Sequence, residues 1–247
     1  MKKGEGVTRV MTWNIHGIGR NPRFDLTRVV DLIRIWDPDV VALQEVDSRR
    51  TLADAVNPFE FLPTAIGIYG IGAKTIISKD GEYGQMLISR FPITAHQVHD
   101  ISFREREPRR AIRADIRTPT GPLTVIATHL GLSFRERRDQ ARALAQLALG
   151  EATTVVMGDF NDWIWPGTVR ASLSQVLGAY TRSYTFPSRF PLFSLDRIYC
   201  RPRHMLLRSY IDTKARTLSD HLPVISDLRM SGCKTKGSPA QCSASSL

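Results

Sequence analysis

The eight residues VVMGDFND, 155 to 162, decide how the rest of the chain is read. Val155, Val156 and Met157 make a short apolar run of the kind that forms a buried strand. The run stops at Gly158, which permits a sharp turn. Asp159, Asn161 and Asp162 then follow within four positions. A buried strand that delivers carboxylates and a carboxamide to its own end predicts a polar site there. Ligand sites form where several strand ends converge on a rigid base.

Other strands repeat the pattern. TRVMTW ends at Asn14, DVVALQ at Glu45 and LTVIAT at His129, LDRIYC opens beside Asp196, and Asp220 and His221 stand just before PVISDL. Each residue has a plain structural reading by itself. Asn14 and Asp159 fit turn positions, Glu45 a solvated strand end, His129 a hydrogen-bonded core histidine and Asp220 an N-cap. Six strands that place an acid, amide or imidazole at one boundary favour a shared site, although spacing alone does not show that they meet. Asp162 reads as either a support behind the site residues or a turn residue, with the turn preferred.

Between these motifs the helical signals are few. Apolar residues recur at helical spacing from Phe24 to Trp36, with Pro38 after the stop. Residues 133 to 149 give the clearest helix, with Ser133 and Glu136 in capping-box register. A short helix is expected over 167–177. Strands are expected at 83–89 and 93–102, and a hairpin is expected about TPTG, residues 118 to 121. Residues 59–80, rich in Gly and Ile, fit neither period. Hairpins mixed with crossover helices predict an α/β sandwich of mixed sheets rather than a doubly wound parallel sheet. With no repeat and no internal linker, one domain is expected over 1–230, followed by a disordered tail at 231–247.

The 247 residues carry 34 basic and 24 acidic side chains, a formal charge of +10. Such a surplus draws anions, so a phosphate-bearing partner is expected, with nucleic acid among the candidates. No apolar run reaches the ~20 residues of a membrane span, and GEGVTRV follows MKK where an export signal carries an apolar core. A cytoplasmic location is the expectation. Cys200, Cys233 and Cys242 have no metal-ligand spacing; Cys200 reads as a buried small hydrophobe.

The polar set suits one chemistry. Glu45, Asn14 and Asp220 offer hard oxygen donors for magnesium, with manganese as a substitute. Asp159 can take a proton from a water that Asn161 orients. His129 and His221 can donate to phosphoryl oxygens, and Asp196 can fix the tautomer of His221. No activated Ser or Cys pair stands out, which favours direct attack by water.

The pieces TWNIHG, VVALQEV, ATHLG, VVMGDFND, LDRIY and SDHLPV, running from Thr12 to Val224, resemble the endonuclease/exonuclease/phosphatase superfamily. That group includes pancreatic-type DNase, abasic-site endonucleases, inositol polyphosphate phosphatases and neutral sphingomyelinases. The resemblance implies a four-layer α/β sandwich, two packed β-sheets with helices outside. It implies metal binding by Asn14, Glu45 and Asp220, and catalysis by Asp159, Asn161, His129, Asp196 and His221. Phosphodiester hydrolysis by a nuclease or general phosphodiesterase is the expected activity, with lipid or inositol-phosphate hydrolysis as the alternative.

Residues 104 to 117 interleave six arginines with acids. Arg109, Arg110 and Arg113 are candidates for clamping substrate phosphate. The competing reading is an exposed strand with internal ion pairs. Arg135, Arg137, Arg138 and Arg142 are read as the wet face of a helix. Trp163, Trp165 and Phe193 sit beside motif residues, where they can stack a base, meet lipid or pack locally. His16 is read as structural.

Overall fold

Alternation along the first strand, β1 (Val7–Asn14), sets the layers. Met11 and Trp13 point into one apolar cluster with the helix α1 (Leu26–Trp36), whereas Val10 points into another cluster on the opposite face. A strand whose two faces are both apolar is a central strand covered on both sides. The computed structural model describes residues 3–15, 26–49, 56–163 and 167–230. His16, Trp165, Cys233, Cys242 and the expected tail at 231–247 lie outside the described residues.

Two six-stranded mixed sheets pack face to face. The first contains β1, β2 (Val40–Asp47), β3 (Tyr69–Ser78), β4 (Gly81–Ser89), β11 (Leu206–Ile211) and β12 (Val224–Arg229), in the order β11-β12-β1-β2-β4-β3. The second contains β5 (Ile93–Asp100), β6 (Arg110–Thr118), β7 (Gly121–His129), β8 (Thr154–Asp159), β9 (Ala179–Tyr180) and β10 (Asp196–Arg201), in the order β5-β6-β7-β8-β10-β9. Val10, Val40, Ala42 and Leu87 from the first sheet meet Ile112, Val125, Val155 and Ile198 from the second. Helices α1 and α2 (Pro58–Ile66) cover the outer face of the first sheet. Helices α3 (Phe134–Leu147) and α4 (Thr168–Val176) cover the second. The four-layer α/β sandwich expected from the sequence is the observed fold.

Local chemistry explains the boundaries. The Ser133 N–H donates to Glu136 Oε2 at 3.5 Å, so the Glu136 half of the capping box opens α3. Gly167, at the N-cap of α4, has no side chain to cap with. Asp162 Oδ2 accepts the Arg170 N–H of that first turn at 3.4 Å instead. Arg9 is fully buried, and its Nε donates to Asp227 Oδ1 at 2.7 Å, which ties β1 to β12. No described helix is long and apolar enough to cross a membrane.

Three sequence readings are corrected here. Gly158 does not make a turn: it lies inside β8, opposite Thr128 and Arg197. A Cβ on it would sit 1.9 Å from the Thr128 carbonyl oxygen, so the close approach of β7 demands glycine. Asp162 is buried rather than a simple turn residue, 3.5 Å from the Arg197 guanidinium. Arg137 is not on the wet face of α3: it is buried, and its guanidinium lies 4.8 Å from the centre of the Trp163 ring. Cys200 is buried in β10, where burial pushes its thiol up to about 12.

Candidate active site

Side chains repeat every two residues along a strand, so parity decides which strand ends face the gap between the sheets. In β8, Val155 and Met157 face the inter-sheet core, and Asp159 follows in the same phase. In β7, Val125 and Ala127 are followed by His129. In β10, Asp196 precedes Ile198 and Cys200 in phase. In β1, Val10 leads through Thr12 to Asn14. Register brings them level: His129 and Asp196 both pair with Asp159.

Glu45 breaks the alternation. The β2–β4 register shifts between Leu43 and Val46, a bulge that places an extra residue in β2. Glu45 takes φ 57°, a left-handed conformation uncommon for a residue with a Cβ. The bulge turns its carboxylate onto the Asn14 amide, whose Nδ2 donates to Glu45 Oε1 at 3.0 Å. The same nitrogen donates to Asp159 Oδ2, also at 3.0 Å. Asn161 has φ 51° as well, and its backbone N–H donates to Asp159 Oδ1 at 2.9 Å. Its Nδ2 donates to the Leu130 carbonyl at 2.9 Å. Strain of this kind persists where the surroundings over-determine it, and it gathers at functional sites.

His221 arrives on the loop before β12, and that loop is latched on all sides. Trp13 Nε1 donates to the His221 carbonyl at 3.0 Å, and Ser219 Oγ donates to the Asn14 carbonyl at 2.7 Å. Ser188 Oγ donates to the Ser219 carbonyl at 2.7 Å, and the Leu222 N–H donates to the Thr185 carbonyl at 2.9 Å. The His221 ring stands 4.8 Å from that of Phe186. Its Nδ1 is 2.9 Å from Asp196 Oδ2, and its Nε2 is 3.9 Å from Asp159 Oδ2.

The two histidines are held in opposite charge states. Burial drives His129 down to about 3, with the nearby Arg109 charge adding to the effect. Arg109 Nη1 lies 3.2 Å from His129 Nδ1. A guanidinium only donates, so Nδ1 accepts and the proton of neutral His129 sits on Nε2. That nitrogen is 3.7 Å from Asp159 Oδ2. Burial also opposes charge on His221, but the charges of Asp196, Asp159 and Asp220 outweigh it and raise the ring to about 10. At neutral pH His129 is a neutral donor and His221 an imidazolium.

Asn14, Glu45, Asp159, Asn161, His129, Asp196 and His221 thus form one linked set. Asp220 is half-buried next to His221 in the chain and acts on its charge. Of the three arginines, only Arg109 reaches the set, on the imidazole edge opposite Asp159. Arg110 pairs with Asp100, and Arg113 pairs with Asp115 at 3.1 Å and Glu151 at 3.2 Å. The latch residues Thr185 and Ser188 carried no signal in the sequence. Ser219 did: its Oγ accepts the His221 N–H at 3.0 Å, the local turn that a Ser two residues ahead allows.

Fold and site together define a class, a double-sheet scaffold with acids and imidazoles gathered at one end of the inter-sheet seam. The chain belongs to the endonuclease/exonuclease/phosphatase family, whose model matches residues 11–221. The Escherichia coli K12 protein YbhP, described as uncharacterized, is 32% identical over 256 residues, covering 90% of this chain and 96% of its own. A solved endonuclease/exonuclease/phosphatase from Beutenbergia cavernae superposes with a TM-score of 0.72 at 22% identity, covering 92% of this chain and 72% of its own. The mannosyl-6-phosphatase Bt3783 of Bacteroides thetaiotaomicron gives 0.66 at 19% identity, covering 90% of this chain and 99% of its own. At these identities the two structures share the fold.

Proposed function

We propose that this protein is a divalent-metal-dependent phosphodiester hydrolase that uses direct attack by water. The observation that carries the reading is the pair of imidazoles around Asp159: His129 Nε2 lies 3.7 Å and His221 Nε2 3.9 Å from one carboxylate oxygen. Asp159 is the base. It takes a proton from the attacking water, which Asn161 Oδ1 holds, because the Asn161 amide nitrogen is committed to Leu130. His129 Nε2–H binds a non-bridging phosphoryl oxygen as charge builds. His221 gives its Nε2 proton to the leaving oxygen, and Asp196 steadies its Nδ1–H. Arg109 fixes the His129 tautomer from behind.

The donor set fits a hard dication. Glu45, Asp159, Asp196 and Asp220 bring four carboxylates to a site where, among the described residues, the cations are Arg109 and His221, and buried Asp196 Oδ1 has no hydrogen bond. Atoms of Asp159, Asp196 and His221 lie within 4.8 Å of one another. That trio is better read as a proton relay, since an imidazolium has no lone pair for a metal. Glu45, Asn14 and Asp220 would hold magnesium or manganese. The ion, when bound, neutralises the phosphate and draws electron density from phosphorus.

A second reading, hydrolysis of a lipid or inositol phosphate, is favoured by Phe190 and Leu192, strongly exposed on the segment latched to the His221 loop. One panel tests both: plasmid DNA, a single-stranded oligonucleotide, bis(4-nitrophenyl) phosphate, an inositol phosphate and sphingomyelin, each with and without magnesium. Cleavage of plasmid DNA, the oligonucleotide or bis(4-nitrophenyl) phosphate that depends on magnesium and on Asp159 supports the first reading. Turnover confined to sphingomyelin or the inositol phosphate supports the second.

A further inference from the structure

Beside the catalytic set lies a pocket of about 320 Å³ that the hydrolytic chemistry does not use. Asp162 and Trp163, just after Asn161, form one side, and Phe193 and Ser194, just before Asp196, form another. Tyr180, Tyr184, Arg170, Arg182 and Arg197 also line it. Its first two sides thus lie one to three residues along the chain from Asn161 and Asp196.

The lining has two properties. Its aromatic rings are unusually bare: Tyr184 is 61% exposed, Trp163 43% and Phe193 41%. Bare aromatic rings in a concave site are costly to leave in water and well suited to stacking on a flat partner. Cations brace two of the rings. The Arg137 guanidinium lies 4.8 Å from the centre of the Trp163 ring, and that of Arg182 lies 5.3 Å from the centre of the Tyr180 ring. The second property is a buried cation paired with Asp162. Arg197 is 4% exposed; its Nε donates to Ser194 Oγ and its Nη2 to the Asp162 carbonyl. Its Nη1 is buried without a hydrogen bond, 3.5 Å from Asp162 Oδ2. The pocket therefore offers ring faces together with a buried Asp162–Arg197 pair.

We infer that this pocket is a base-stacking subsite, which receives the nucleobase of a single-stranded nucleic acid next to the phosphate being cleaved. Base–aromatic stacking tolerates any sequence, because every base has a π-face. Arginines around the rings suit the polyanionic backbone, and the chain's charge of +10 suits its approach. The inference rests on the phosphodiester reading above and narrows its substrate.

Binding in EDTA, where turnover is absent, tests it. Two fluorescein-labelled ten-unit probes of equal charge are compared: oligothymidylate, and an abasic tetrahydrofuran phosphodiester. Wild-type protein is expected to bind the base-bearing probe at least tenfold more tightly. The ratio is expected to fall below threefold in Tyr184→Ala/Phe193→Ala. Both side chains are exposed, and a ratio taken within one sample cancels any loss of folded protein. Equal affinities in wild type, or an undiminished ratio in the variant, overturns the subsite. Retention on anionic phospholipid vesicles without binding of oligothymidylate also overturns it and makes the rim a membrane contact. Magnesium-dependent hydrolysis of bis(4-nitrophenyl) phosphate, measured separately, reports on the hydrolase reading alone, so the two failures are distinguishable.

Discussion

Asn14 and Asp159, 145 residues apart, are joined by a 3.0 Å hydrogen bond from the Asn14 amide to an Asp159 carboxylate oxygen. The bond crosses from one sheet to the other at the open end of their interface. With Glu45 on the same amide nitrogen, it makes one network from two layers.

The proposed base, Asp159, is the first thing to remove. Asp159→Asn keeps the shape of the side chain and loses the proton acceptor. Turnover of the best substrate is expected to fall about 1,000-fold or more while the circular dichroism spectrum stays unchanged. Activity near the wild-type level would take Asp159 out of the chemistry.

Metal binding is expected to be visible without turnover. An ion that binds only the native state raises the melting temperature as its concentration grows. Magnesium should raise it in wild type and much less in Glu45→Gln, and EDTA should stop hydrolysis until magnesium or manganese returns. Equal shifts in both proteins would place the ion elsewhere.

His221 links charge to stability with a definite sign. Its native pKa, raised to about 10, exceeds the ordinary value of 6.5. The native state therefore holds this proton after the unfolded chain has lost it. The stabilisation is complete below about pH 6.5 and is lost as pH rises towards 10. In metal-free protein, urea unfolding at stepped pH should show that loss in wild type, and Asp196→Asn should flatten it. A proton NMR titration of His221 with a midpoint near 6.5 would contradict the assignment.

On the proposed mechanism Arg109 acts through His129, 3.2 Å from its Nδ1. Arg109→Gln should lower kcat about 10- to 100-fold, as loss of an orienting partner does. The His129 titration should move upward, because one of the charges holding it down is gone. Burial, the larger cause, remains, so the ring should still be neutral at pH 7. A fall in kcat without any change in the His129 resonances would make the role of Arg109 a different one.

Gly158 tests the strand packing beneath the site. Alanine there would bring its Cβ within 1.9 Å of a backbone oxygen that cannot retreat without breaking the β7–β8 ladder. Gly158→Ala is expected to cost at least about 3 kcal/mol in urea unfolding, or to prevent folding. A cost below 1 kcal/mol would show that the ladder yields.

Much of this was legible because strand parity carries it. Once VVM is read as a buried strand, the phase of Asp159 follows, and the same holds for His129, Asp196 and Asn14. Residues 59–80 were not legible. Pro63 sits inside α2, and Gly70 and Gly72 sit inside β3, so local propensity argues against the structure that tertiary packing imposes. The bulge at Glu45 was hidden too, since a register shift belongs to a pair of strands and not to one. Arginines were the least readable. Arg109, Arg110 and Arg113 look alike in sequence, yet one backs an imidazole and the others pair with acids, Arg110 with Asp100 and Arg113 with Asp115 and Glu151. Arg137 looked solvated and is buried against a ring.

The seam between the sheets also sets how the enzyme can be remodelled. Because Asn14 and Asp159 belong to opposite layers, the thickness of the apolar filling between them acts as a spacer gauge for the reactive groups. Enlarging Ala42 or trimming Val155 would shift that gauge and should dull the chemistry before the molecule melts. The rim around Tyr184 and Phe193 answers to no such gauge, so if it is the proposed subsite its selectivity can drift while the groups around Asp159 keep their spacing.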